Sequence, residues 1–487
     1  MTIGSNASIE NISNNGSITG SNGQYAIEIG GNNRNGATIT NFTNNGTIGS
    51  SNSNYAIVGW ANGDKKTTIT NFTNNGLIQS NSNEAIYLNN TNIGTFTNSG
   101  TITSSKGSGL NFGNVTIDNF NNSGNIKSIS STGNVKTFEN SGFIGGISVR
   151  GTIDNFDNSG TTGRISVGGG GKVTTFVNSG TISGADLIEI SGGNSCIENI
   201  TIKEGSVLNG TWGITAVHGG KIGTINIEGG KFNTHYSTIL LQNTTTDTKI
   251  NIKNTNVTAK DGGIYITDSN LEGGSLNLEN ATFATGTNGL ILENSKFNSD
   301  IELKNSKFTS GWNTIALTGK SILTGGINIK DSSSLFANTN GILIKNNSKV
   351  TSDINIENKS SLEGKNNNGI LLENNANLGG NINLKDNSKI SGKNAGILAK
   401  DSSKITADIN IENKSSVEGK NNAGIILAHT SNLGGSINLK DNSIISGKNI
   451  GILAGDNSTI TADINIENKS SIEGKNNAGI ALMNNAN

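Results

Sequence analysis

Apolar and polar residues alternate along this chain in short runs. In one stretch Ile354-Asn355-Ile356-Glu357, Ser361-Leu362-Glu363-Gly364 and Gly369-Ile370-Leu371-Leu372 follow one another, separated by Asn, Lys, Ser and Gly. Alternation of period two in Ile- and Leu-rich runs predicts strands. No run is long enough for a helix, and no unit carries a 3.6-residue apolar stripe. The three-run pattern then recurs. An Ile-Asn-Ile type triplet begins at Ile200, Ile225, Ile250, Leu276, Ile301, Ile327, Ile354, Ile382, Ile409, Ile437 and Ile464, spaced by 25 to 28 residues. From Ile354 onward a double unit of 55 residues repeats almost verbatim. In the first half the unit is Phe-x-Asn-Asn/Ser-Gly followed by an apolar residue. It occurs at Phe42, Phe72, Phe96, Phe120, Phe138, Phe156 and Phe176, at spacings of 18 to 30, and Ile12 opens an earlier copy.

Three strands per unit, repeated without a helix, predict an all-β fold: a single-stranded parallel β-helix of about 19 coils, each rising ~4.8 Å. Crossover preference makes a right-handed winding the expectation. The motif change divides the chain into 1–199, with Phe-x-Asn coils, and 200–487, with Ile-Asn-Ile coils. Both ends fall inside a repeat: Thr2-Ile3-Gly4-Ser5 matches Thr47-Ile48-Gly49-Ser50, and Asn487 matches Asn377. The chain is therefore expected to be truncated at both ends. Proline is absent, which suits a ladder that uses nearly every backbone N–H.

Stacking turns equivalent positions into columns. The outward fourth position of each triplet reads Lys203, Glu228, Lys253, Glu279, Lys304, Lys330, Glu357, Lys385, Glu412, Lys440, Glu467, alternating in sign except at Lys304–Lys330. Such alternation predicts ion pairs worth a few tenths of a kcal/mol each. The Asn beside it (Asn226, Asn251, Asn277, then Glu302, then Asn328 onward) predicts an amide ladder. In the first half, Asn44, Asn74, Asn98 and their equivalents are expected at an inward corner, and the Phe column as an internal stack. On the third strand, Leu240, Tyr265, Ile291, Ala316, Leu343, Leu371, Leu398, Ile426, Leu453 and Ala481 are expected to point outward. An exposed apolar stripe of that length is a candidate partner surface; cover by a loop or a bulged register is the alternative.

Composition narrows the chemistry. The net charge is −1 and charged residues are 15 %, so the chain as a whole has no footprint for nucleic acid. Cys196 is the single cysteine, which excludes an internal disulfide. No run of 18 apolar residues occurs, and the N-terminus lacks the pattern of a signal peptide. His218, His235 and His429 lie in different coils without ligand spacing, and no hydrolase or phosphate-binding motif is present. No metal or cofactor is expected. The one carboxylate cluster is Asp118, Lys136 and Asp154, with Arg150, Asp157 and Arg164 nearby; it would serve a polysaccharide hydrolase or lyase. Aromatic residues at the corner before the third strand are the other candidates: Tyr25 and Tyr55 early, then Trp212, His235, Tyr236 and Trp312. Such rings stack on sugars or anchor a protein partner.

The recurring Asn-Phe-Thr-Asn-Asn-Gly-Thr-Ile and Thr-Phe-x-Asn-Ser-Gly-Thr-Ile units resemble the passenger domains of bacterial autotransporters (type V secretion), over nearly the whole chain. The resemblance implies a right-handed β-helix displayed at the bacterial outer membrane or secreted. It also implies an adhesin-like role in virulence, with a translocator barrel encoded outside this chain. The serine-protease motif of some passengers is absent, so no catalytic residue carries over. The expected function is therefore a non-enzymatic adhesin or display rod that contacts a glycan or protein on a host or neighbouring cell. A β-helix carbohydrate-active enzyme and a self-associating structural surface protein are the alternatives.

Overall fold

A computed structural model describes residues 1–20, 25–31, 35–49, 54–61 and 65–487. Among these every regular element is a β-strand, and the named strand pairs within each unit are parallel. The chain divides into two compact units, Met1–Gly223 and Thr224–Asn487. Each is a β-solenoid. The sequence motif changes at Ile200, which takes the place of Phe176 in the stack and sets Ile202 beside Asn178; the boundary of compactness follows one coil later.

In the first unit the long strands run from Ser8–Asn14 through Thr38–Asn44, Thr67–Asn74 and Thr91–Asn98 to Cys196–Ile202. They pair in register, Phe42 on Phe72 and Phe96 on Phe120. The Phe column is internal: Phe42 through Phe120 stack with ring centroids 4.7, 4.8 and 5.0 Å apart and planes within 5°. Later members tilt, to 54° between Phe138 and Phe156. The expected corner ladder also forms. Asn14 Nδ2 donates to Asn44 Oδ1 at 2.8 Å, Asn44 to Asn74, Asn74 to Asn98 and Asn98 to Asn122, each of the last three at 2.7 Å. The glycine that closes the motif is required by close approach. A Cβ on Gly100 would lie 2.1 Å from the Gly76 carbonyl oxygen directly below.

The second unit has one more strand per coil than the alternation predicts. Besides the three expected runs, as in Ile354–Ile356, Ser361–Gly364 and Asn368–Glu373, a two-residue strand such as Asn377–Leu378 joins a fourth sheet. Two residues are too few to show a period. The corners use paired left-handed residues, Asn358 (φ 56°) with Lys359 (63°) and Asp401 (56°) with Ser402 (62°). Asn and Asp tolerate that region better than other non-glycine residues, which accounts for much of their abundance. The buried serines that follow form a ladder of their own, since Ser360 N–H donates to Ser388 Oγ and Ser388 N–H to Ser415 Oγ, both at 3.2 Å.

Two expectations about the second unit's outer face are corrected. The apolar positions of the third strand are not an exposed stripe: Leu240, Leu343, Leu371, Leu398 and Ile426 are 6–9 % exposed, and Tyr265, Ile291 and Leu453 are half-buried. The first residues of the later third strands, Ala395, Ala423 and Ile450, pack with Leu343, Leu371, Leu398 and Ile426 in one outer cluster. The Asn ladder does form, with Asn251 donating to Asn226 at 2.9 Å and Asn410 to Asn383 at 2.9 Å. Its neighbouring charge ladder closes only partly. Lys253 and Glu279 pair at 3.1 Å, whereas Glu357, Lys385, Glu412, Lys440 and Glu467 stand in register without an ion pair within 4.0 Å. Exposed pairs of this kind contribute too little to fix long side chains in one geometry.

Replacing Asn98 by Ala strands a buried acceptor on Asn122 and removes the shortest of the hydrogen bonds that the Asn74 amide donates. Such a loss costs about 1–3 kcal/mol. The expected result is an earlier unfolding midpoint in urea; an unchanged midpoint would show that the ladder contributes nothing to stability.

Candidate functional site

The exposed aromatic residues of the second unit sit on one corner, between its second and third strands. Tyr236 is 40 % exposed, Trp312 is 57 % exposed, and the His235 ring meets Tyr236 edge-on at 4.9 Å. Backbone hydrogen bonds stack this corner coil on coil: Gly262 N–H to Tyr236 O at 3.0 Å, Thr287 N–H to Asp261 O at 2.7 Å, and Trp312 N–H to Thr287 O at 3.0 Å. Tyr236, Asp261, Thr287 and Trp312 therefore form one column, and its two aromatic ends lie three coils, or about 14 Å, apart.

A polar network fills the interval. Thr287 Oγ1 donates to Asp261 Oδ1 at 2.8 Å, so the Tyr265 hydroxyl, 2.8 Å away on the other side, donates to Thr287. Burial pushes the Tyr265 hydroxyl pKa up, against the hydrogen bond to Thr287 that lowers it. The ring of Tyr265 folds back over Gly262, where a Cβ would lie 2.2 Å from ring carbons; only glycine leaves that space. Beneath Trp312 a buried amide ladder fixes the corner. Asn313 Nδ2 donates to Asn288 Oδ1 at 2.9 Å, and Asn340 Nδ2 donates to Asn313 Oδ1 at 3.1 Å. The arrangement offers two ring faces flanking a rigid set of hydroxyl and carboxylate groups.

Trp212, the remaining aromatic candidate, lies in the first unit, half-buried and in register with Asp186. The early tyrosines belong to a ring cluster that covers its own strand face. Tyr25 meets Tyr55 at 5.9 Å, Tyr55 meets Tyr87 at 5.7 Å, and Trp60 meets Tyr87 at 5.0 Å, all four half-buried and Val58 fully buried. Trp60 and Tyr87 escaped the sequence reading because they lie on the strand and not at the corner before it.

The carboxylate candidates do not converge in a cleft. Asp118, Lys136 and Asp154 make an exposed column on three successive coils, while Arg164 turns to Asp186, at 3.6 Å, and Glu189. Cys196 is half-buried, and burial raises its thiol pKa. His429 is the histidine with a partner set that the sequence reading missed: its Nδ1 lies 2.9 Å from Asp401 and its Nε2 3.4 Å from Asp456. Those acids precede and follow it by 28 and 27 residues, so a spacing of one coil was the available signal. Comparison with family models, curated proteins and solved structures finds no match for this chain.

The hydrogen bond from His429, with the nearby Lys400 ammonium, holds the Asp401 carboxyl below its ordinary range. A depressed carboxylate stabilises the fold above the ordinary Asp pKa, and that contribution is lost as pH falls through the lowered value. His429→Gln is expected to shift the Asp401 titration upward, read by NMR of the side-chain carboxyl; an unmoved titration would assign the depression to Lys400 alone.

Proposed function

We propose that this chain is a non-catalytic binding domain of an autotransporter passenger type, displayed at or released from the bacterial surface. Its second unit contacts a glycan through the corner from Tyr236 to Trp312. The observation that carries this reading is the pair of exposed aromatic side chains held on one rigid column with hydrogen-bonding groups between them. Ring faces supply stacking surface for pyranose rings, and fixed hydroxyl, carboxylate and amide groups between them supply orientation. A span of about 14 Å accommodates a short oligosaccharide and not a single sugar. A β-helix whose columns are filled by self-pairing amides and hydroxyls presents a polar surface along which weak contacts add by multivalency.

A glycan array probed with the purified chain tests the proposal. Bound glycans are expected to lose roughly tenfold or more in affinity in the Tyr236→Ala/Trp312→Ala variant, each ring contributing on the order of 1 kcal/mol or more. Both side chains are exposed, so the variant is expected to fold as the parent does. Undiminished binding by the double variant would overturn this reading. Glycan turnover abolished by Asp154→Asn would replace it with an enzymatic one.

A further inference from the structure

One edge of the second unit carries a charge pattern unlike the other columns. Lys365, Lys393, Lys420, Lys448 and Lys475 each follow the glycine that ends a strand of the second sheet, and all five are exposed. Their backbones stack directly. Lys393 N–H donates to Gly364 O at 3.2 Å, Lys420 to Gly392 at 2.9 Å, Lys448 to Gly419 at 3.1 Å and Lys475 to Gly447 at 3.1 Å. Five ammonium groups thus leave five successive coils over roughly 19 Å.

The carboxylates nearby are too few to neutralise them. The outward position two residues earlier reads Glu363, Ser391, Glu418, Ser446, Glu473. Glu363 is taken by Lys420 and Glu418 by Lys389, each at 2.5 Å. No carboxylate lies within 4.0 Å of Lys365, Lys393, Lys448 or Lys475 among the described residues. Like charges one coil apart are destabilising, and nothing in the packing beneath requires lysine there. The neighbouring corner residues add amides: Asn449 Nδ2 donates to Asn421 O and Asn476 Nδ2 to Asn449 Oδ1, both at 3.2 Å.

We propose that this edge binds an acidic polysaccharide laid parallel to the coil axis, its carboxylates or sulfates on the lysine column and its hydroxyls on the asparagine amides. Geometry and charge density select this class. The column is one residue wide, which fits a linear polymer and not the plane of a lipid surface. Counting Lys389, six lysines face three glutamates along it, a surplus of three positive charges. Duplex DNA presents one negative charge per ~1.7 Å of axis, several times denser than this column can match at one lysine per ~4.8 Å, whereas a glycan charged about once every one or two sugars is comparable. The site lies on later coils of the same corner and shares no side chain with the Tyr236–Trp312 stretch, so either can fail without the other.

The test uses the whole chain with hyaluronate, heparan sulfate, neutral dextran, duplex DNA and phosphatidylserine vesicles as probes, at low and high salt. Acidic glycans are expected to bind, with affinity falling steeply as salt rises, and dextran is not. Converting Lys365, Lys393, Lys448 and Lys475 together to Gln is expected to weaken binding by roughly tenfold or more. The unfolding midpoint should stay level or rise, since repulsion is relieved. Arg at the same four positions is expected to retain binding, and Tyr236→Ala/Trp312→Ala to leave it unchanged. The proposal fails if no salt-sensitive glycan binding occurs, if the Gln variant binds as the parent does, or if DNA or vesicles bind more tightly than the acidic glycans.

Discussion

In a parallel stack held in register, each side chain sits between residues of its own position one coil above and one coil below. The residue types that satisfy such a position are those that can pair with themselves. An amide can, because it donates with nitrogen and accepts with oxygen: from Asn14 to Asn178 each buried Asn donates to the next. Phenylalanine can, by offset stacking. Serine can when its hydroxyl takes the backbone N–H of the preceding coil, as Ser388 does for Ser360. Self-pairing accounts for the buried Asn columns and the low charge content, while the left-handed corners add further Asn and the backbone ladder excludes proline.

Charged residues cannot pair with themselves, so their placement is diagnostic. At the break in the charge ladder, Lys304 and Lys330 are register neighbours of the same sign. The neighbouring Asn column is broken at the same coil by Glu302, and Lys330 lies 3.9 Å from it, while Lys304 lies 3.9 Å from Asp331. Two exceptions that look independent in the sequence are one compensated event in the structure. In the lysine column from Lys365 to Lys475 only Lys420 has a carboxylate partner, Glu363, and the other four have none within 4.0 Å.

Much of the fold was legible in the sequence because repetition multiplies weak signals. A single Phe-x-Asn-Asn/Ser-Gly says little; seven copies fix the register, the internal Phe stack and the corner amide. What stayed hidden depended on features that leave no period. The fourth strand of the second unit is two residues long. The outward third-strand positions are covered because the first residues of those strands, Ala395, Ala423 and Ile450, pack on the same face, a departure from strict alternation that the pattern cannot express. The aromatic corner was located by residue type alone. Its intervening network of Tyr265, Thr287 and Asp261, and the Asn288–Asn313–Asn340 support, became visible only when the coil spacing was applied to single residues and not to motifs. The same step would have found Asp401 and Asp456 on either side of His429.

Covering of the third-strand face has a consequence for where ligands can act. With the sheet interior filled and the outer apolar positions of the third strand covered, side chains free to meet another molecule are the polar outward positions of the strands and those at the corners. At the corner before the third strand the residue type changes from coil to coil in one stretch, with His235 and Tyr236 on one coil, Asp261 and Thr287 on the next two and Trp312 after them, and repeats as lysine from Lys365 to Lys475. Sheet positions repeat because each must match its copy, whereas corner side chains that project outward need match nothing in the chain.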